Sequence, residues 1–213
     1  MNKKTNKEYW NAIRDIELLT KEGFFSEEIK KLAKKIKINH ALALELWQTD
    51  ILEARQMTTL IIDVKQLTEN DLDRLVCEIR RVPVADWMNS YVVKNFENKE
   101  TLRLKWLTSK NVFAARAGWN FTASKIAKGA DGMDLSIILN QLEKEMPTAA
   151  PEVQWTMNFA LAETGIHHPT FRKRAIEIGE KLGIFKDYPT SKGCTSPFAP
   201  IWINEMVRRS EEK

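Results

Sequence analysis

The segment Trp106-Leu-Thr-Ser-Lys-Asn-Val-Phe-Ala-Ala-Arg116 repeats in outline the earlier segment Trp47-Gln-Thr-Asp-Ile-Leu-Glu-Ala-Arg55. Each has a Trp, a Thr two residues later, a polar turn, and then Ala-Arg inside a new helix. The second copy is two residues longer than the first. An echo of this kind is expected where pairs of helices repeat along a chain and stack on one another.

Helical periodicity runs through most of the chain. Apolar residues recur at three- and four-residue steps, and no segment shows the strict alternation of a half-buried strand. Pro83 is expected to break the helical pattern between 72–82 and 85–96. The predicted helices are 9–19, a capped helix from Ser26, 41–47, 51–62, 72–82, 85–96, 102–107, 113–127, 135–145, 153–163, 171–182 and about 200–209. We therefore predict an all-α fold, an α-α superhelix (solenoid) of HEAT-like helical repeats.

Length and composition narrow the class of protein further. The 213 residues fit a single domain, 1–213, with a Pro- and Gly-containing loop at about 183–200 before a short last helix. Eight Gly and seven Pro are few for an all-β sandwich. The two cysteines have no near neighbours, which excludes a Cys-based zinc site. No apolar run is long enough to cross a membrane and no signal peptide is visible, so we expect a cytoplasmic protein.

Charge is unevenly distributed along the sequence. The net charge is only +4. Residues 99–128, however, hold seven basic side chains and one acid, whereas residues 45–78 hold eight acids and three bases. A basic block in mid-chain is typical of a folded surface that meets phosphates. The alternative is an ordinary solvated helix face.

Five aromatic residues lie in or near this basic block. Rings interleaved with cations can hold a nucleic-acid backbone or an exposed base, although most rings in a helical protein fill the core. Trp106 and Trp119 occupy apolar helical positions and are predicted to be core. Trp87 stands beside polar residues and is the ring that we expect at a binding surface. The five are Trp87, Trp106, Phe113, Trp119 and Phe121.

Four segments of the sequence are 46–55 (LWQTDILEAR), 86–87 (DW), 106–117 (WLTSKNVFAARA) and 158–163 (NFALAE). In this order they resemble the DNA alkylation repair family, the AlkD-like HEAT-repeat DNA glycosylases. The tail KGCTSPFAPIWI at 192–203 is similar to a subset of that family. Together the matches cover most of the chain from about residue 41 onward.

The resemblance implies a superhelix whose concave, basic face holds duplex DNA. In such members, aromatic rings and one carboxylate meet the backbone at an alkylated purine, and the carboxylate stabilises the cationic sugar that forms as the base leaves. No cofactor and no metal are implied, and the adjacent His167 and His168 lack the spacing of a metal pair. The expected partner is duplex DNA, alkylated or distorted, with no membrane and with the protein as a monomer.

The family's site residues fall on specific positions of this sequence. The first site Trp falls on Trp87, the catalytic Asp on Tyr91, and the second site Trp on Phe159. An arginine beside the second Trp falls on Ala162. On a regular α-helix Asp86 points about 140° away from Tyr91 and would need an unusual backbone to replace the missing carboxylate. The predicted DNA-binding residues are Arg116, Lys110, Lys105, Lys125, Lys128 and Arg55.

Three functions follow from this pattern. The first is a DNA N-glycosylase that removes alkylated purines, although Tyr91 stands at the catalytic Asp position. The second is a non-catalytic binder of distorted or branched DNA, which fits the aromatic ring at 87 and the basic block. The third is a helical-repeat scaffold that binds another protein.

Overall fold

The computed structural model describes residues 25–212, and the predicted helix at 9–19 lies outside this part of the chain. The described residues form two compact units that divide between Lys99 and Glu100. The prediction of a single domain stays a prediction. All the regular structure in the described residues is helical, which confirms the predicted all-α class.

The helices follow one another with short connections, apart from residues 183–198. The first unit contains α1 Phe25–Ile36, α2 His40–Trp47, α3 Leu52–Ile61, α4 Glu69–Cys77 and α5 Val82–Trp87, followed by a π-helical turn Met88–Val92 and a 3₁₀ turn Val93–Asn95. The second begins in α6 Lys99–Leu107 and continues with α7 Val112–Ile126, α8 Leu135–Glu145, α9 Pro151–His167, α10 Pro169–Leu182 and α11 Ala199–Glu211.

Helix boundaries depart from the sequence prediction where caps and prolines act. The predicted helix 72–82 begins earlier, at Glu69, because Thr68 and Asp71 form a capping box that satisfies the first free N–H groups. It ends at Cys77. Pro83 does not break a helix; it lies in the first turn of α5, where a missing N–H costs nothing.

One helix is central to each unit. In the first unit, α3 packs against α1, α2 and α5, and most of its side chains are buried, including Thr58, whose hydroxyl donates to the Ala43 carbonyl at 2.9 Å. In the second unit, α9 packs against α7, α8, α10 and α11. Nine of the 17 residues of α9 are buried, because several neighbours cover this helix.

Two glycines allow helices to approach closely in the second unit. A Cβ on Gly118 of α7 would lie 2.9 Å from the backbone nitrogen of Leu107 at the end of α6. A Cβ on Gly165 of α9 would lie 2.5 Å from the Ile203 side chain of α11. These contacts bring α6 against α7 and seat α11 on α9, where the buried residues form one apolar core.

Candidate nucleic-acid interface

An aromatic pair is open to solvent at the end of α5. Trp87 is half-buried, and Tyr91 is 36% exposed. Their ring centroids lie 5.5 Å apart with the planes at 64°, an edge-to-face contact that orients both rings. Two side chains that the sequence assigns to the site therefore meet.

The backbone between these two rings is a π-helical turn. The Val93 N–H donates to the carbonyl of Met88, five residues earlier, and the Asn95 side chain donates to the Tyr91 carbonyl at 2.9 Å. The regular helix predicted for 85–96 is therefore wrong in this stretch. A π turn rotates less per residue than an α-helix, so the 140° expected on a regular helix does not apply between Asp86 and Tyr91.

One side chain of a lysine-rich helix reaches Trp87 of this pair. Lys30 of α1 places its Nζ 5.9 Å from the centroid of the Trp87 ring, within reach of a cation–π interaction. Four further lysines on or just after α1 are exposed, and we call them the lysine face: Lys31, Lys34, Lys35 and Lys37. The sequence could have indicated this face, because Lys30 and the four lysines of the face fall within residues 30–37, outside the basic window 99–128.

Arg55, a predicted DNA-binding residue, is 8% exposed. Its guanidinium donates to the carbonyls of Trp47 at 3.1 Å and Glu78 at 2.8 Å, and it lies 4.8 Å from the Trp47 ring centroid. Burial lowers the pKa of Arg55 below its ordinary value, while Asp50, at 2.9 Å, acts in the opposite direction. The side chain thus joins α2, α3 and the end of α4.

Arg116 holds the equivalent position in the second Trp-to-Arg segment. It is 3% exposed and donates from Nη1 to the Glu152 carbonyl in the first turn of α9, at 2.8 Å. Trp106 and Trp119 are 0% and 2% exposed, so their predicted place in the core is confirmed. In both Trp-to-Arg segments, the final arginine is buried and donates to a carbonyl later in the chain. DNA contact by Arg116 and Arg55 stays a prediction.

The basic window 99–128 is partly neutralised inside the second unit. Arg103 is 4% exposed and donates to both oxygens of Glu100 at 3.0 and 2.7 Å, and to the Thr122 hydroxyl. Lys125 reaches Glu100 at 2.9 Å. The hydrogen bonds from Arg103, followed by those from Lys125, lower the pKa of Glu100 to about 2.

This network predicts a pH-dependent stability. Because the pKa of Glu100 falls from 4.5 to about 2 on folding, its contribution is complete above pH 4.5 and is lost as the pH falls toward 2. Glu100 is half-exposed, so we expect Glu100→Gln to lower the free energy of unfolding by only about 1 kcal/mol at pH 7. Urea denaturation of both proteins at pH 7, 4 and 2 measures the difference, which should vanish at pH 2.

The exposed Glu97 provides the matched control for this measurement. Glu97→Gln should leave the free energy of unfolding unchanged at every pH. A decrease in Glu100→Gln that is equally large at pH 7 and pH 2 would contradict a charge-based role for the network.

The remaining predicted lysines of the second unit lie at its surface. Lys105, Lys110 and Lys128 are exposed on α6, in the connection to α7, and just after α7. Lys125 is half-buried beside Glu100. A phosphate can therefore approach three of the four without displacing a protein contact to Glu100.

Phe159 lies in an aromatic cluster of the second unit. Its ring centroid is 5.7 Å from that of Trp155, one turn earlier on α9, and 5.2 Å from that of Trp202 on α11. Phe159 and Trp202 meet edge-to-face at 86°. The sequence predicts Phe159 as a site residue but gives no sign that rings from distant helices gather around it.

Two features of the described residues bear on other classes of function. Residues 25–212 contain no group of three or more His, Cys, Asp or Glu side chains that could hold a metal ion. Within that range, each helix is too short or too polar to cross a membrane.

Comparison with known proteins gives two similarities. A model of the family described as "DNA alkylation repair enzyme" matches residues 20–202. One solved structure, from "a new family of proteins related to the HEAT-like repeat DNA glycosylases with affinity for branched DNA structures", is similar with a TM-score of 0.73 and 22% identity, covering 99% of this chain and 95% of that chain. This likeness confirms the predicted HEAT-like helical fold. The curated proteins give no match.

Proposed function

Because the chain belongs to the family of DNA alkylation repair enzymes, as its motifs predict, we propose that it binds DNA and prefers branched or distorted DNA to a continuous duplex. The proposal combines two kinds of support. The family and the affinity of the structural neighbour for branched DNA support DNA as the ligand. The surface chemistry of the first unit supports the proposed mode of binding.

The observation that carries the proposal is the aromatic pair beside the lysine face. Lys30 lies over Trp87, and Trp87 and Tyr91 present ring surface to solvent. Lysines draw in phosphates and release their counterions, whereas exposed rings stack on bases. A continuous duplex hides its bases in the stack, but the bases next to a branch or distortion are accessible. The pair therefore favours DNA whose stacking is interrupted.

The second unit also has exposed lysines that can bind phosphates. Lys105, Lys110 and Lys128 would meet phosphates, as the sequence predicts. Titration of a labelled four-way junction and a linear duplex at increasing NaCl, followed by fluorescence anisotropy, tests the proposal. We expect both to bind and both affinities to fall steeply with salt because phosphate contacts release counterions. Absence of binding at low salt would contradict it.

The catalytic mechanism that the resemblance implies needs a carboxylate, and this chain has none at the corresponding position. Tyr91 offers a phenol where a developing sugar cation needs a negative charge, and Ala162 cannot contact a phosphate. We expect no release of methylated purines from duplex DNA by the wild type above the rate without protein. Tyr91→Asp should restore slow release if the rest of the site is in place. Chromatography of the released base measures both rates.

Base release by the wild type would favour a second candidate function. The π-helical turn replaces the regular helix that would turn Asp86 away from Tyr91. Asp86→Asn is the matched variant, because it removes the charge and keeps the shape. Release that this variant abolishes would identify a glycosylase that uses Asp86 and would contradict a purely non-catalytic role.

A further inference from the structure

The second unit contains an open cavity of about 290 Å³ between α9, the 183–198 connection and α11. Four of its lining residues are aromatic: Trp155, Phe159, Tyr188 and Trp202. Tyr188 is 47% exposed and stands on the solvent side of the cavity. A cavity that is open and lined by several rings differs from the closed apolar core around α9.

The rings stand at steep angles to one another. Trp155 and Tyr188 have centroids 5.5 Å apart with planes at 51°, and Phe159 and Trp202 meet at 86°. None of these pairs is stacked in parallel. Tyr188 is 47% exposed, and Trp155, Phe159 and Trp202 are half-buried, so ring surface is left for a planar guest to stack on.

The polar groups of the lining indicate the charge of that guest. The lining includes Thr190, Ser191 and Thr195 and, among the described residues, no Asp, Glu, Lys or Arg. The Thr190 hydroxyl donates to the Tyr188 carbonyl at 3.1 Å, and the Thr195 hydroxyl accepts from Arg209, which is itself paired with Glu205 at 2.7 Å. A cationic guest would be expected to meet a carboxylate, and a phosphate would be expected to meet a lysine or arginine. Neutral hydroxyls beside rings instead suit a neutral planar group with hydrogen-bonding edges.

We propose that this cavity receives one unpaired nucleobase of bound DNA, stacked against Tyr188 and its neighbouring rings. The proposal rests on the proposed function, since it assigns the cavity to a base of the same bound DNA. Lys186 and Lys192 are exposed in the same connection, close in sequence to Tyr188 and Ser191. They supply cations for the phosphates on either side of an extruded base.

The test uses the full-length protein and two duplexes. One carries a single extra 2-aminopurine, a fluorescent base, and the other carries an abasic residue at the same place. We expect the wild type to bind the first about tenfold more tightly and to quench its fluorescence on stacking. Tyr188→Ala should lose both the preference and the quenching, whereas Tyr188→Phe, which keeps the ring, should retain both.

The outcomes separate the two proposals. Equal affinity of the wild type for both duplexes, with Tyr188→Ala unchanged, would overturn the base-binding cavity and leave DNA binding intact. Failure of the wild type to bind either duplex at low salt would overturn the proposed function as well. Quenching that persists in Tyr188→Ala would also overturn the assignment, because the base would then lie elsewhere.

Discussion

Replacing Lys34, Lys35 and Lys37 together by glutamine is expected to weaken DNA binding about 100-fold at low salt. Each exposed lysine that meets a phosphate contributes about 1 kcal/mol, so three contribute about 3 kcal/mol. The slope of log affinity against log salt concentration should also become shallower. It should change by close to one for each phosphate that no longer meets a lysine. Anisotropy titrations of a four-way junction at several NaCl concentrations measure both quantities.

A triple variant on the second unit is the matched control for this experiment. Lys144, Lys173 and Lys181 lie on α8 and α10 and are exposed. Their replacement by glutamine changes the net charge by the same amount. We expect this variant to bind no more than about threefold more weakly at low salt, the effect of net charge alone. Equal weakening in the two variants would contradict the assignment of the lysine face as the DNA-binding surface.

Replacing Arg116 by alanine is expected to lower the free energy of unfolding by about 3 kcal/mol. The substitution removes a charged hydrogen bond to the Glu152 carbonyl and leaves a cavity, because the side chain is 3% exposed. Urea denaturation measures the decrease. DNA titration of the folded variant then tests the separate prediction that Arg116 contacts DNA. If it does, the folded variant should also bind DNA more weakly than the wild type.

Arg74 is the matched arginine for this comparison. It lies at the surface of α4, 3.7 Å from Asp71 and from Glu78. We expect Arg74→Ala to change the free energy of unfolding by less than about 1 kcal/mol, as is usual for exposed ion pairs. An Arg116→Ala protein as stable as Arg74→Ala would mean that the guanidinium does not join α7 to α9.

The helical fold is predictable because apolar spacing is a local property. Helix α8 occurs at the predicted residues 135–145, and α2 differs from its prediction by one residue. The capping box at Thr68 and the proline in α5 shift helix boundaries, since a cap or a helix start depends on which backbone N–H groups are free. The π turn at 88–92 has no sequence period that would distinguish it from an α-helix.

Contacts in the candidate site are predictable only where the two residues are close in sequence. Trp87 and Tyr91 are four residues apart and meet as a helix requires. Charge counting cannot show which cations a fold buries, so it does not distinguish Arg103 and Arg116 from Lys110 in the basic window. The Lys30 contact with Trp87 and the rings around Phe159 join distant segments, and no local pattern records such contacts.

Competition between branched and continuous DNA for the same protein tests the proposed preference directly. A labelled four-way junction bound to the protein is titrated with unlabelled junction and with linear duplexes of the same sequence, at fixed salt. We predict that the junction competes at least about tenfold better than the duplexes, and that Trp87→Ala removes most of this preference. Equal competition by junction and duplexes, or a preference unchanged in Trp87→Ala, would contradict the proposal that the aromatic pair selects branched DNA.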